Sequence, residues 1–581
     1  HYINNIKFII LGVEKLSRKI LIVGGVAGGA SAAARLRRLN ENDQIIMFEK
    51  GPHVSFSNCC LPYHLSEMIE DAESLVLMQP EKFFNQYRID ARTNNEVIGI
   101  DRKSKTIKVK DLITNKEYEE SYDKLILSPG AKPIIPNIEG IDNMSVFTVR
   151  NVVDIAKLKY FIDKPQNKDL TVIGGGFIGV EVCENLREAG YNVTLIEASN
   201  QIMRPFDYDM VQILHKEIFD KGVNLIVEDM VVKFEDGYTI LESGKKIKSD
   251  IVVMAIGVTP DTELIKGTGL ELGEIGGIKV DSNYCTNDKD IYAVGDAIEV
   301  YHALTKRKTK LPLAGPAQKQ ARAVADHINN IPVKNTGFIG SSVIKVFDYN
   351  AASTGLNENI IKDLDININY DIARVIPSDR VGLMPGASPI HFKLIFEVPT
   401  GKILGAQSIG KGNVDKGVNV IATLIKLGGT VEDLKDLELC YAPSFSTAKD
   451  VVNHVGYVAS NILNKTFNQV PVTKVRELVE NNECIIDVRE ENEFELGNIK
   501  GAINIPLSQM RDRLDEIPKD KTLYIHCRSA QRSYNATLAL QQLGFEDIYN
   551  ISGSYLGICL YEYFNDKMKG REPIVTEYNF N

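Results

Sequence analysis

The sequence predicts an α/β protein of several domains, and three observations carry that prediction. Its 581 residues exceed what one hydrophobic core usually supports, roughly 250–300 residues. Two glycine-rich turns, 150 residues apart, each lie between a short apolar strand and a helix-forming stretch. A separate strand-and-helix pattern then restarts near residues 466–470. The composition is that of an ordinary globular chain, 44% hydrophobic and 25% charged. A net charge of −10 argues against a nucleic-acid partner. No apolar run approaches the roughly 20 residues of a membrane-spanning helix, so no membrane partner is expected. The nearest run, Phe8–Val13, also lacks a small-residue cleavage site and is not read as a signal peptide. Residues 1–17 precede the first secure strand and are read as an N-terminal extension.

The first strand, Lys19–Val23, runs into Gly24-Gly25-Val26-Ala27-Gly28-Gly29. A helix over Ala30–Leu39 and a strand over Ile45–Phe48 follow, ending on Glu49, 20 residues past Gly29. This is a Rossmann-like βαβ unit. Its glycines allow a tight turn and let a pyrophosphate approach a helix N-terminus, while the acidic residue meets a ribose hydroxyl. Val26 stands where the middle fingerprint glycine belongs. The second copy is complete: Leu170–Ile173, then Gly174-Gly175-Gly176-Phe177-Ile178-Gly179, a helix, and Val193–Ile196 ending on Glu197. Two fingerprints in one chain point to two nested dinucleotide-binding domains; the other reading is one ligand and a decayed copy.

The stretch Leu125-Ile126-Leu127-Ser128-Pro129-Gly130-Ala131 closes the first unit, and Ile251–Pro260, which includes Gly257, closes the second. Ile291–Val294 then ends in Gly295-Asp296, an acid suited to the ribityl hydroxyls of a flavin. This order resembles the pyridine nucleotide–disulfide oxidoreductase family from about residue 18 to 465. The resemblance implies an FAD-binding domain over 18–150 and 261–339, an NAD(P)H-binding domain over 151–260 and an α+β dimerisation domain over 340–465. It implies FAD contacts at Gly24, Gly25, Ala27, Gly28, Gly29, Glu49, Lys50, Ser128, Pro129, Gly130, Gly295, Asp296, Leu313 and Ala314. NAD contacts are implied at Gly174, Gly176, Ile178, Gly179, Glu197 and Gly257, with NADH preferred because Glu197 repels a 2′-phosphate.

The eight cysteines show neither a dense disulfide framework nor paired metal-ligand spacing, which fits a reducing cytoplasm and no metal site. Two stand apart. Ser55-Phe56-Ser57-Asn58-Cys59-Cys60-Leu61-Pro62-Tyr63 lacks the paired cysteines of the disulfide reductases, since Tyr63 stands four residues past Cys59. The segment resembles the single-cysteine branch of the family, which implies that Cys59 attacks a substrate disulfide and is released by reduced FAD. Cys60 stands where glycine is usual, either as a small filler or as half of a strained vicinal disulfide.

Within that branch, Asn58 and the basic stretch Ala33–Leu39 resemble coenzyme A–disulfide reductases, implying CoA contacts at Ser31, Arg35, Arg38, Ser55 and Asn58. Arginines on a solvated helix face are the plainer reading of any one of them. Leu439-Cys440-Tyr441-Ala442-Pro443 matches the motif whose tyrosine reaches the partner subunit's site in a homodimer, where a phenol can assist the leaving thiolate. Gly382-Leu383-Met384-Pro385-Gly386-Ala387 departs from the branch, which carries a second catalytic tyrosine there. The loss leaves room for a substrate with a better leaving group than CoA thiolate, such as a persulfide or polysulfide, without ranking these against CoA disulfide.

Near the C-terminus, Ile485–Glu490 is a strand ending in Asp487-x-Arg489, followed by Gly497–Pro506 and by Leu523–Ser533. Together these resemble the rhodanese family over 470–570. Cys527 opens a loop to Arg532 whose backbone N–H groups can hold a persulfide, with Arg532 and the next helix start adding positive potential. Asn498 replaces the more common histidine. The resemblance thus implies an FAD-dependent NAD(P)H oxidoreductase that reduces CoA disulfide, CoA persulfide or polysulfide through Cys59, with Cys527 carrying sulfane sulfur. One rival is an NADH oxidase or peroxidase cycling Cys59 through sulfenic acid; residues 24–38 lack the histidine such enzymes carry. Another is a sulfur-relay or redox-sensing protein that serves a partner.

Overall fold

A computed structural model describes residues 17–580, so residues 1–16 of the expected extension lie outside the described residues. Five parallel strands form the first sheet, in the order Ile291–Ala293, Lys124–Leu127, Lys19–Val23, Gln44–Glu49 and Ile89–Thr93. The inner strands are apolar because the sheet is covered, by the helix Ala27–Leu39 and by the antiparallel strand Asn95–Asp101 that packs on Gln44–Glu49, whereas the edge strand Ile89–Thr93 carries Asp90 and Arg92. The chain therefore leaves this sheet after Leu127 and returns to it at Ile291.

Between those points lies the second sheet, ordered Asn224–Ile226, Asn192–Ile196, Asp169–Ile173, Ile251–Met254 and Val146–Phe147. Val146–Phe147 pairs with Val252–Val253, so the crossover is made before residue 150, where the sequence placed the boundary. Two apolar residues carry no periodicity, and only the tertiary pairing assigns them.

A five-stranded antiparallel sheet follows, Ser342–Val346, Tyr349–Gly355, Ile403–Gly410, Ile390–Glu397 and Tyr370–Val375, backed by the helices Val414–Leu427 and Val451–Leu463. The C-terminal unit is a parallel sheet ordered Asn468–Pro471, Ile548–Ser552, Leu523–His526, Cys484–Asp487 and Ile503–Asn504.

This last unit is packed onto the rest. Leu556, Leu560 and Phe564 of the helix Ser554–Lys569 share one core with Ile213, Leu214 and Ile218 of the nucleotide domain. Beside it Lys393 is buried with its Nζ 3.0 Å from Asp207, 2.8 Å from Asp209 and 2.6 Å from Glu358. Those three carboxylates lie close enough to hold a metal ion, but the lysine ammonium already supplies their counter-charge. Among the described residues, no helix is long and apolar enough to cross a membrane.

Candidate active site

A cavity of ≈ 560 Å³ opens over the first glycine turn. Its wall includes Gly24, Ala27, Gly28, Glu49, Lys50, Ser128, Pro129, Gly130, Gly295 and Asp296, all expected flavin contacts. The helix Ala27–Leu39 starts with no side-chain cap and no acidic residue in its first turn, leaving its free N–H groups for an anion. A side chain at Gly28 would put its Cβ 2.6 Å from Ser128 Oγ, and Gly24 has φ of +96°. These features fit the diphosphate of FAD.

Four expected contacts are not in that wall. Gly25 donates its amide to Glu49 Oε2 at 2.9 Å and is packed under Val54. A Cβ on Gly29 would lie 1.8 Å from the Gly24 carbonyl oxygen, so this glycine seats helix on strand. Leu313 and Ala314 open the helix Ala314–Ile328, but Ala317, one turn on, is the residue that reaches the cavity. Arg150, Lys132 and Asp261 also line it and had no signature in the sequence. Arg150 bonds Asp296 at 3.3 Å, and Lys132 bonds Asp261 at 3.0 Å.

The second turn repeats the first. Gly175 donates its amide to Glu197 Oε2 at 2.7 Å, and Ser199 gives its N–H and its hydroxyl to Oε1. The carboxylate is thereby held at the strand end. Gly174 (φ +108°) and Gly179 make the same close helix approach, and Gly176 precedes the uncapped helix Phe177–Glu188 that carries Ile178. Gly257, the remaining expected NAD contact, has a φ of +125° just past the strand Ile251–Met254.

Cys59 lies in the 3-10 segment Asn58–His64, directly after Phe56 and Asn58, which line the flavin cavity. Cys59 is exposed and unbonded, whereas Cys60 packs against the core containing Leu61 and Leu65. Cys60 therefore behaves as the small filler. The protein packed around the Cys59 thiol raises its pKa, and the charges of Glu181, Cys60 and Asp296 raise it further. Burial, aided by Glu184, pushes the Glu181 carboxyl up to about 7, and burial, then Glu181, pushes Tyr63 up to about 12. Glu181, on the helix Phe177–Glu188, was not foreseen; no motif marks it. Asn58 Oδ1 is buried without a hydrogen-bond partner among the described residues, an acceptor left for a ligand.

A second cavity of ≈ 360 Å³ is lined by Ser31, Arg35, Arg38 and Ser55, four of the five expected CoA contacts. Arg35 lines the cavity and is also ion-paired. Its Nε and Nη2 both point to Asp326 Oδ1, at 2.8 and 2.7 Å, so its charge is already matched. Arg37, between the two, is buried and donates to the backbone carbonyls of Asn40, Glu41, Asp43, Tyr87 and Arg88. Tyr441 stands half-exposed next to the Gly382–Ala387 loop, joined to it by the Val381 amide donating to the Pro443 carbonyl. Leu383, 92% exposed, and Phe445, 75% exposed, continue this apolar surface.

In the C-terminal unit Cys527 is buried at the end of the strand Leu523–His526. Its amide donates to Ser554 Oγ at 3.2 Å, and Ser533 Oγ lies 3.6 Å from its Sγ. Ala530 adopts φ +75°, turning the loop back on itself just before the uncapped helix Gln531–Gln542. Arg532 gives Nη1 and Nη2 to Glu493 at 2.6 and 2.7 Å. The expected positive potential from Arg532 is thus offset by a carboxylate, and the loop amides and helix start remain as anion donors. Asp487 and Arg489 form a buried pair that also ties down the carbonyls of Glu493 and Gly497.

Comparison with known proteins agrees with this geometry. The family description pyridine nucleotide-disulphide oxidoreductase fits residues 18–321, its dimerisation domain residues 341–451, and the rhodanese-like domain residues 471–560. The coenzyme A disulfide reductase of Staphylococcus epidermidis is 35% identical over 442 residues, covering 76% of this chain and 99% of that protein. The crystal structure of reduced Bacillus anthracis CoADR-RHD superposes with a TM-score of 0.91 at 47% identity, covering 95% of this chain and 99% of that one. A NAD-dependent persulfide reductase from A. fulgidus superposes with a TM-score of 0.88 at 32% identity, over 94% and 100% of the two chains.

Proposed function

We infer, from the premise that this chain belongs to the pyridine nucleotide-disulphide oxidoreductase family and carries a rhodanese-like domain, that it is an NADH-dependent reductase of CoA-bound sulfur. Its substrates are CoA persulfide and CoA disulfide, with polysulfide as a further source, and Cys527 carries sulfane sulfur to it. The observation that carries this reading is the path of Ser55–Cys59. Ser55 lines the second cavity, Asn58 lines the flavin cavity, and Cys59 follows at once. A CoA lying along this segment offers its pantetheine amide N–H groups to the unpartnered Asn58 Oδ1. FAD held over the first glycine turn supplies the two-electron relay between nicotinamide and thiol.

The Cys59 thiolate attacks the CoA-bearing sulfur of a persulfide, forming a Cys59–CoA mixed disulfide and expelling hydrosulfide. Two electrons and a proton then restore the Cys59 thiolate and release CoA thiol. In a homodimer Tyr441 reaches the other copy's site and assists the departing thiolate. Leu383 stands where a second phenol would add acid assistance. Persulfide is therefore expected to give a kcat/KM roughly 10²-fold above that of CoA disulfide, the lower end of the usual range for one acid catalyst. Steady-state NADH oxidation with both substrates checks this, and a higher value for CoA disulfide would reverse the substrate assignment.

Glu197 sets the nicotinamide preference. Its carboxylate is oriented by Gly175 and Ser199, so Glu197→Gln keeps an acceptor for Gly175 while removing the charge that repels a 2′-phosphate. The ratio of NADH to NADPH specificity constants is expected to fall by roughly tenfold, about 1.4 kcal/mol. An unchanged ratio would remove Glu197 from cofactor selection. We place the enzyme in the cytoplasm on its free cysteines.

A further inference from the structure

The second cavity has a wall that the sequence did not supply. Opposite the helix Ala27–Leu39 stands the helix Ala314–Ile328, which contributes Gln318 and Arg322, one turn apart and hence on one face. Phe83 and Tyr87 add aromatic surface from the helix Pro80–Tyr87. Among the described residues, no acidic one lines the cavity.

Its three arginines are not equivalent. Arg35 spends its guanidinium on Asp326 and holds the two helices together. Arg38 is exposed and has no hydrogen-bond or ion-pair partner among the described residues. Arg322 makes only a loose contact with Asp326, at 3.7 Å, with 63% of its side chain exposed. Two largely uncommitted guanidiniums thus share one pocket. Arg38 lies seven residues beyond Ser31, about 10 Å along the helix at 1.5 Å per residue. Ser55, by contrast, is four residues from the reactive Cys59.

The geometry points to Arg322, acting with Arg38, as the residue that reads the 3′-phosphate of CoA, while Arg35 is a positioning residue. This assignment rests on the CoA reading above. A ligand with its thiol at Cys59 and its pantetheine along Asn58 and Ser55 brings its nucleotide end to the outer part of the cavity. There a phosphomonoester of nearly two negative charges meets two guanidiniums suited to bidentate contact, and the adenine has the Phe83–Tyr87 surface. Discrimination for CoA over its dephosphorylated form is then made on the helix Ala314–Ile328, beyond the first βαβ unit.

Titration calorimetry of the FAD-loaded enzyme with CoA and with 3′-dephospho-CoA tests this. Wild type is expected to bind CoA about tenfold more tightly, as one charged hydrogen-bonded contact allows. Arg322→Ala is expected to weaken CoA by a similar factor, leave dephospho-CoA unchanged and so erase the discrimination, with Arg322→Lys partly restoring it. Equal weakening of both ligands would place Arg322 on the pyrophosphate, and no weakening of either would remove it from the site; each overturns the assignment while leaving CoA binding intact. A wild type that binds neither ligand overturns the CoA reading itself.

Discussion

Cys59→Ser is expected to remain yellow and to be reduced by NADH at close to the normal rate, yet to lose turnover of persulfide and disulfide by at least about 10³-fold, because the alkoxide is a far poorer nucleophile toward sulfur. Retention of flavin follows from the wall of the flavin cavity, which Cys59 does not line. Folding should survive as well, since Cys59 is exposed and Cys60, its neighbour, makes the core contact. Anaerobic stopped-flow absorbance separates the two half-reactions: flavin bleaching by NADH persists, and reoxidation by substrate disappears. If reoxidation by CoA persulfide survives the substitution, the thiol relay is wrong and substrate meets the flavin directly.

Cys527→Ala has the second large effect, and it divides the molecule. Sulfur transfer from thiosulfate should fall by about 10³-fold, since no other thiol lies in the loop that ends at Arg532. NADH-dependent reduction of a small, freely diffusing persulfide should be nearly unchanged, because neither cavity of the reductase half draws on the Cys527 loop. A bulky or protein-bound sulfur donor should give the opposite result. Its sulfur must pass through Cys527 before CoA can carry it to Cys59, so NADH oxidation slows in the variant. Equal loss with both donors would make Cys527 part of the reductase cycle. No loss with either would mean that the two halves only share a chain.

What the sequence made legible was whatever a short, fixed spacing encodes. Both glycine turns, Glu49 and Glu197, Gly295-Asp296 and the Cys527 loop fall where they were expected, because each lies within one strand–turn–helix unit. Contacts made by tertiary packing were hidden. Asp326 neutralises Arg35 from 291 residues away, and Glu493 claims Arg532 from 39 residues away. Either arginine read alone looks like a free cation. Arg322 and Tyr87 join the second cavity only because three helices converge there, and Glu181 nears Cys59 because the helix Phe177–Glu188 packs on the segment Asn58–His64. The glycines hid a different distinction. Gly24 and Gly29 both hold fingerprint positions, yet Gly29 serves packing, whereas Gly28, at a variable position, lines the cavity wall.

The central claim is that sulfur from the substrate becomes covalently bound to Cys59 and is released by electrons from NADH. The most direct measurement is peptide mass mapping of the FAD-loaded enzyme, acid-quenched after a single turnover's worth of CoA persulfide without NADH, and again after NADH is added. The account predicts a CoA adduct on the peptide carrying Cys59 in the first sample and a free thiol in the second. An unmodified Cys59 peptide in a sample that goes on to oxidise NADH would contradict it.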